Sequence, residues 1–267
     1  MAKSNIAWTD WTWNVVSGCT PVSPACQNCY AAAMHKRLRA AGSAKYLHPF
    51  SEVRTHPEEL AGLPKKPSLI FPCSMSDMFH PDVDGEFIER VLWEMENRPA
   101  HIFQILTKRP ERMREWFISW LHMPNTWLGV TVESEAQKHR IATLRSIPAA
   151  VRFLSCEPLL GPLNLTPADL EGIHWVIVGG ESGAGARTCD PRWINQIRQA
   201  CRESNIAYFF KQGGIHPVSE NDARYGIKKW KWYAENFADQ QWCPGIAERQ
   251  FPFGWESHPA LANRKGK

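Results

Sequence analysis

Residues 174–210 read HWVIVGGESGAGARTCDPRWINQIRQACRESNIAYFF, a stretch in which two apolar runs flank one amphipathic segment. The runs 174–178 and 206–210 have strand length and are rich in β-branched and aromatic residues. The pair Asp190-Pro191 is typical of a helix start. The apolar residues after this pair recur with helical spacing: Trp193, Ile194, Ile197 and Cys201. The stretch therefore predicts a β-α-β unit with parallel strands.

The same alternation extends back along the chain. Further strand-length runs are 68–72, 101–106, 126–131 and 151–155. Apolar stripes with helical spacing lie between them: Phe87, Ile88, Val91, Leu92 and Met95; Met113, Trp116, Phe117 and Trp120; and Ile141 and Leu144 after a Ser134-x-x-Gln137 capping box. About six or seven such units predict an α/β fold with a partial or closed TIM-like barrel of parallel strands. An open doubly wound sheet is the alternative.

Domain organisation and compartment follow from composition. Residues 1–212 are predicted to form the barrel, and residues 213–267 an irregular basic and aromatic extension packed on the same domain. The 267 residues are 43% hydrophobic with a net charge of +4, which excludes a largely disordered chain. No apolar run approaches the roughly 18 residues of a membrane-spanning helix, so no membrane association is predicted. The N-terminal residues contain no apolar signal segment, which predicts a cytoplasmic location.

Polar or small residues follow each predicted strand, where barrel enzymes carry their chemistry. The charged ones are Asp77, Lys108, Arg109, Glu133, Glu157, Glu181 and Lys211. Matching positions after several strands predict a polar site at one mouth, although loops are polar for the simpler reason that they face water. The glycine-rich stretch 179–185 fits either a backbone cradle for an anion or a ribose, or a tight turn.

Three cysteines crowd into the segment CTPVSPACQNC, with the spacing Cys19-x6-Cys26-x2-Cys29, after a predicted strand at 13–17. A zinc site needs a fourth ligand, for which His35 is the nearby candidate. A Cys-x-x-Cys redox pair leaves Cys19 without a role. Three thiolates can also hold three irons of a 4Fe–4S cluster and leave the fourth iron open to a ligand.

A three-cysteine loop after the first strand of a β/α barrel resembles the radical S-adenosylmethionine superfamily. The chain is also similar to a family described mainly as phage or prophage proteins of unknown function, and a phage origin implies the host cytoplasm as the location. The stretches that carry this similarity are 4–10, 13–14, 18–30, 106–110, 129–133, 155–159, 179–183 and 210–212. Two features depart from the superfamily pattern: the first gap is six residues instead of three, and Asn28 precedes the last cysteine where an aromatic residue is usual.

The resemblance implies cofactors and roles. The free iron would chelate the amino and carboxylate groups of the methionine moiety, and reductive cleavage would give a 5′-deoxyadenosyl radical, with electrons from an external donor. It implies that Cys19, Cys26 and Cys29 ligate the metal. The methionine amino group would be bound by Ser74, Ser76 and Asp77, and its carboxylate by Lys108. Ribose contacts would come from Thr131 and Glu133, and further cofactor contacts from Tyr30, Gly179, Gly180 and Glu181. Catalytic candidates are Cys73 and Cys156, as thiols that return a hydrogen atom, with Lys108 and Glu157.

The substrate prediction rests on residues 224–233, RYGIKKWKWY, with four cations and four aromatic residues. Cations neutralise phosphates and aromatic rings stack on bases, so a nucleic acid, with DNA favoured, is the predicted substrate. The candidate contacts are Arg109, Arg187, Lys211, Lys228, Lys229, Trp230, Lys231 and Trp232. A solvated helix face with lysine stems over core tryptophans explains the same stretch. Two functional alternatives stay open: a radical enzyme acting on a small molecule or peptide, and a non-enzymatic, metal-stabilised nucleic-acid-binding protein.

Overall fold

The computed structural model describes residues 1–119, 123–183, 185–214, 249–255 and 258–262. The strands are β1 (Ala2–Lys3), β2 (Trp11–Trp13), β3 (Val16–Ser17), β4 (Arg54–Thr55), β5 (Leu69–Pro72), β6 (Ile102–Thr107), β7 (Thr126–Thr131), β8 (Val151–Cys156), β9 (Trp175–Gly179) and β10 (Ala207–Gln212). The helices are α1 (Tyr30–Ala40), α2 (Gly85–Glu96), α3 (Pro110–Ser119), α4 (His139–Arg145), α5 (Pro167–Leu170), α6 (Pro191–Glu203) and α7 (Pro259–Ala262).

Eight strands form the main sheet in the order β1-β2-β5-β6-β7-β8-β9-β10. β1 pairs antiparallel with β2, whereas β2 and β5, β5 and β6, β8 and β9, and β9 and β10 pair in parallel. The predicted α/β class with a mostly parallel sheet is confirmed. From β2 onward the strands follow their chain order, without the reversal that defines a doubly wound sheet. The doubly wound alternative is therefore wrong.

The chain divides into two compact units, which meet in sequence within β7. The N-terminal unit contains residues 1–129 and 146–150 together with the described residues from 254 onward. Its core is built on the fully buried Leu69, Ile70 and Ile102 of neighbouring strands. Helix α2 buries the predicted stripe from Phe87 to Met95, and its N-terminus is capped by the Asp84 side chain, which accepts from the Glu86 backbone N–H.

The C-terminal unit contains residues 130–145 and the described part of 151–253. Its β9-α6-β10 segment matches the β-α-β unit predicted from residues 174–210, with Ala207 opposite Trp175. The Asp190 side chain caps α6, which buries Ile194, Ile197 and Cys201. From the predicted extension, Arg249 forms a β-bridge with Phe209, and the Phe251 ring stacks on Trp175.

One local prediction is wrong. Ser134 makes no side-chain capping bond, residues Glu135–Gln137 form a short 3-10 helix, and α4 begins only at His139. The capping box lies instead at α5, where Thr166 and Asp169 exchange side-chain and backbone hydrogen bonds. Within the described parts of the chain, no helix has the length and apolar character needed to cross a lipid bilayer.

Candidate functional site

The three clustered cysteines lie between β3 and α1. Cys19 follows Gly18, Cys26 ends the short 3-10 helix Pro24–Cys26, and Cys29 is the residue that precedes the first turn of α1. All three are free thiols of intermediate exposure. The loop therefore presents three accessible sulfurs from a single stretch of chain.

The backbone at Gly18 and Cys19 is in contact with residues 50–52 and with Ser76. Gly18 has φ +84°, and a β-carbon placed there would lie 2.1 Å from the Glu52 carbonyl oxygen. The Cys19 N–H donates to the Phe50 carbonyl at 2.8 Å, and Gly18 forms a parallel bridge with Ser76. Only glycine fits this position, both because φ is positive and because the backbone of residues 50–52 is so close.

A buried hydroxyl and imidazole network supports the start of the loop. The Ser17 hydroxyl lies 2.9 Å from His48 Nε2 and 2.7 Å from His56 Nε2. His48 Nδ1 lies 2.9 Å from the Pro49 carbonyl oxygen, and His56 Nδ1 lies 3.2 Å from a Glu58 carboxylate oxygen, so both nitrogens of each ring have polar partners. Sequence spacing gives no signal for this network, because its members are up to 39 residues apart.

His35, the histidine considered as a fourth zinc ligand, is oriented within another buried group. Its Nε2 donates to the His48 carbonyl at 2.8 Å. Its ring makes edge contacts with Tyr46, His48 and Phe50, and the residue is only 1% exposed. These contacts give His35 a packing role in the N-terminal unit.

An ion pair connects the cysteine loop to the end of β6. The Thr107 hydroxyl lies 2.7 and 2.8 Å from the two carboxylate oxygens of the buried Asp77 and shares its one hydrogen between them, and the Lys108 N–H donates to the same carboxylate at 3.2 Å. The Arg109 guanidinium donates to the same carboxylate at 3.1 Å and to the Cys19 sulfur at 3.6 Å. Asp77 and Arg109 were both predicted as site residues, and the structure brings them together beside Cys19.

The environments of the cysteines differ in their effect on pKa. Burial and the Asp77 charge raise the pKa of Cys19, against the opposing influence of Arg109. For Cys26, burial is the largest single effect and raises the pKa, but hydrogen bonds from the 22–23 backbone and the charge of Lys108 outweigh it, so the pKa is lowered. Two cations thus act on two of the three sulfurs.

The four other described cysteines are buried. Burial raises the pKa of Cys73, Cys189 and Cys201 to about 12, and that of Cys156 well above its usual value. These sulfurs stay protonated at neutral pH, which is the state in which a thiol donates a hydrogen atom and the wrong state for a metal ligand. The three clustered cysteines differ from these four in being partly exposed.

The predicted cofactor residues after β5 lie in the same N-terminal unit. The Ser74 hydroxyl donates to the Asn14 side chain at 3.0 Å, and the Ser76 hydroxyl donates to the Val16 carbonyl at 2.8 Å. The Tyr30 hydroxyl donates to the Ser74 carbonyl, which ties the first turn of α1 to this segment. These bonds brace the cysteine loop against the carboxyl end of β5.

The predicted residues of the C-terminal unit form three ion pairs. Glu133 is fully buried and pairs with Arg140 at 2.9 Å, while Lys211 pairs with Glu157 and Arg187 with Glu181. Within the described residues, the second carboxylate oxygen of Glu133 has no hydrogen-bond donor. Thr131 is buried, and its carbonyl accepts from Arg140 at 2.8 Å.

The glycines that follow β9 have a packing explanation. A β-carbon on Gly180 would lie 2.4 Å from the Gly213 carbonyl oxygen, and one on Gly179 would lie 3.3 Å from the Glu157 carboxyl carbon. The backbones at Gly180 and Gly213 therefore approach each other too closely for a side chain at Gly180. The predicted nucleic-acid contacts Lys228, Lys229, Trp230, Lys231 and Trp232 lie outside the described residues.

Sequence comparison gives the family. A family described as "Protein of unknown function (DUF5131)" matches residues 3–244. The chain belongs to this family. That agrees with the predicted membership of a family of unknown function, while the phage association stays a prediction. No curated protein matches the chain.

One solved structure is similar to this DUF5131 member at a low level. It is described as "Spore photoproduct lyase complexed with dinucleoside spore photoproduct". The TM-score is 0.40 with 11% sequence identity, over 67% of this chain and 57% of the lyase chain. The match thus spans little more than half of the lyase.

Among the described residues, no three histidine, cysteine or carboxylate side chains are gathered closely enough to hold a metal ion. The cysteine loop of this DUF5131 protein offers three thiols, and cysteine thiolates are the ligands that iron–sulfur clusters take from proteins. Arg109 donates to the Cys19 sulfur, and the charge of Lys108 helps to lower the pKa of Cys26.

Proposed function

We propose that this protein is a radical S-adenosylmethionine enzyme in which Cys19, Cys26 and Cys29 hold a 4Fe–4S cluster. The observation that carries the proposal is a single loop with three partly exposed thiols. Arg109 donates to the Cys19 sulfur, and the charge of Lys108 acts on Cys26. The sequential order of the parallel strands supports a partly closed barrel as the scaffold.

When bound, a reduced cluster would supply the electron that cleaves the sulfur–C5′ bond of S-adenosylmethionine, with methionine as the leaving group and a 5′-deoxyadenosyl radical as the product, and an external donor would reduce the cluster again. The protein's own residues would hold the cluster and orient S-adenosylmethionine. Asp77 fixes Arg109 beside Cys19, and it also accepts from the Thr107 hydroxyl and from the Lys108 backbone N–H. Lys108 is proposed to meet the methionine carboxylate, and the 74–77 segment to line the amino-group position.

Roles in the C-terminal unit are proposed residue by residue. The second oxygen of Glu133 has no donor within the described residues, which supports a contact with a ligand hydroxyl such as that of a ribose. Thr131, Gly179, Gly180 and Glu181 keep their predicted cofactor roles as proposals. Cys73 and Cys156 have the protonation state of a hydrogen-atom donor, and Glu157 remains a catalytic candidate in its pair with Lys211.

Anaerobic reconstitution with iron and sulfide tests the proposal. The expected result is the absorbance of an iron–sulfur cluster and, after reduction, an electron paramagnetic resonance signal that changes when S-adenosylmethionine is added. Mass spectrometry should then detect 5′-deoxyadenosine and methionine. Tight zinc binding with no cluster would contradict the proposal and favour the metal-stabilised binding protein.

The proposed substrate is a nucleic acid, with DNA favoured. Support comes from the alternating cations and aromatic residues at 224–233, a composition that suits phosphate neutralisation and base stacking. A base buried in a duplex is out of reach of an enclosed radical, so the enzyme would act on single-stranded DNA or on a flipped base.

Changing Lys228, Lys229 and Lys231 together to Glu should weaken binding of a fluorescent single-stranded oligonucleotide at least about tenfold. Each lost phosphate contact removes about 0.7 from the slope of log affinity against log salt, so the slope should fall by about 2. Fluorescence anisotropy over a salt series measures both. A matched control changes the exposed Lys3, Lys65 and Lys66 to Glu, which alters the net charge equally. Equal loss in both variants would reduce the effect to bulk charge and contradict a binding role for 228–231.

A further inference from the structure

The Arg109 guanidinium connects Asp77, which follows β5, to Cys19 and Thr20 of the cysteine loop. Its Nη1 donates to Asp77 at 3.1 Å and to the Cys19 sulfur at 3.6 Å. Its Nη2 donates to the Thr20 carbonyl at 2.9 Å and to the Thr20 hydroxyl at 3.2 Å. The planar fork of arginine makes these contacts at once, which a lysine ammonium cannot reproduce.

Asp77 holds this guanidinium in place. The side chains of Asp77 and Arg109 are only 8% and 11% exposed. A charge that has left water is tolerated when it is paired and hydrogen-bonded, and both partners here meet that condition. Thr107 donates to both carboxylate oxygens of Asp77, so the carboxylate cannot rotate away from Arg109 without losing those bonds.

The contact with Cys19 has an electrostatic consequence. Reduction of a cluster adds one negative charge, which is shared with the sulfurs of its cysteine ligands. A cationic donor within hydrogen-bond reach of one sulfur stabilises the reduced form more than the oxidised form. Hydrogen bonds to sulfur and net charge are among the main factors that set cluster potentials.

We propose that Arg109, oriented by Asp77, is a positioning residue that raises the reduction potential of the cluster through its contact with Cys19. This inference rests on the proposed function, because it requires the cluster. It assigns to Arg109 a role at the metal ligand, in place of the phosphate contact that its charge alone suggests. Its donors at Nη1 and Nη2 are directed at protein acceptors around the cysteine loop.

The test is a redox titration of the reconstituted protein, followed by electron paramagnetic resonance, for Arg109→Gln, Arg109→Lys and Arg112→Gln. Arg109→Gln removes both the charge and the charge-assisted hydrogen bond at Cys19, so the ratio of reduced to oxidised cluster at a fixed potential should fall at least about tenfold. For one electron, tenfold corresponds to a midpoint about 59 mV lower. Arg109→Lys keeps the charge and should shift the midpoint less.

Arg112→Gln is the matched control. It removes the same charge three residues away, in the first turn of α3, but Arg112 donates to the backbone carbonyls of His80 and Val83. Its midpoint should stay close to wild type. An Arg109→Gln midpoint equal to wild type, or shifts of equal size in Arg109→Gln and Arg112→Gln, would overturn the inference.

Two checks separate the possible failures. If wild-type protein assembles no cluster, iron analysis shows this before any titration, and the proposed function itself fails. If Arg109→Gln alone cannot retain iron, the midpoint potential of Arg109→Lys tests the inference. A midpoint below that of the wild type supports it, and a midpoint equal to that of the wild type overturns it. Circular dichroism of each apo-protein shows whether the variant is folded.

Discussion

Each of the single variants Cys19→Ala, Cys26→Ala and Cys29→Ala should lose the cluster and all cleavage of S-adenosylmethionine. Bound iron should fall from about four atoms per chain to less than one, because a 4Fe–4S cluster that already lacks a fourth cysteine has no ligand to spare. The three sulfurs are only partly buried, so their truncation should change the melting temperature of the apo-protein little. Iron and sulfide analysis with detection of 5′-deoxyadenosine measures the loss.

Cys189→Ala and Cys201→Ala are the matched controls for these variants. Both thiols are buried and have pKa values raised to about 12 by burial, which suits a packing role. Both controls should assemble the full cluster and retain cleavage activity. A Cys19→Ala protein that keeps its iron would show that the metal site is the Cys26-x-x-Cys29 pair alone, and the radical mechanism would lose its foundation.

The fold elements were predictable where they depend on neighbours in sequence. The apolar run 174–178 corresponds to β9 (Trp175–Gly179), and Asp190-Pro191 marks the start of α6 because capping is a local hydrogen bond. The failure at Ser134 has the same local origin: the residue types for a capping box are present, but the chain first makes a 3-10 turn and the α-helix starts later. Residue type alone does not decide between the two.

The support of the cysteine loop was not predictable from local pattern. Strands β3 and β4 have two residues each, too short for any periodicity, and they pair across an interval that contains the whole loop and α1. Ser17, His48 and His56 meet only because this pairing forms. Nothing in the residue types around His48 or His56 distinguishes them from surface histidines.

The sequence predicts where the charged site residues lie but not which of them form ion pairs. Asp77 and Arg109 were assigned separately to a cofactor and to a nucleic acid, since each follows a different strand. The structure joins them in one ion pair beside Cys19. Glu133, Glu157 and Glu181 likewise have cationic partners. The ends of parallel strands predict where charges gather, while the pairing among them depends on side-chain directions that only the fold defines.

Gly18→Ala should abolish cluster retention and lower the free energy of unfolding by about 3 kcal/mol or more. The added methyl group would sit 2.1 Å from the Glu52 carbonyl oxygen, a backbone atom, so the contact with segment 50–52 must open and Cys19 must move. Gly42→Ala is the matched control, because Gly42 also has a positive φ (+73°) but no atom within 4 Å of its β-carbon position. It should lose only about 1 kcal/mol from backbone strain and should bind the cluster normally.

Thermal melting of the two apo-proteins and iron content after reconstitution separate strain from clash. If Gly18→Ala has the same melting temperature as Gly42→Ala and keeps its iron, segment 50–52 is free to move and does not hold the loop. If it melts lower and loses iron, the loop's geometry depends on the close approach of Glu52 to Gly18. Cys19 follows Gly18 directly, and its backbone N–H donates to the Phe50 carbonyl. The position of this cysteine is then set by backbone contacts and not by the metal.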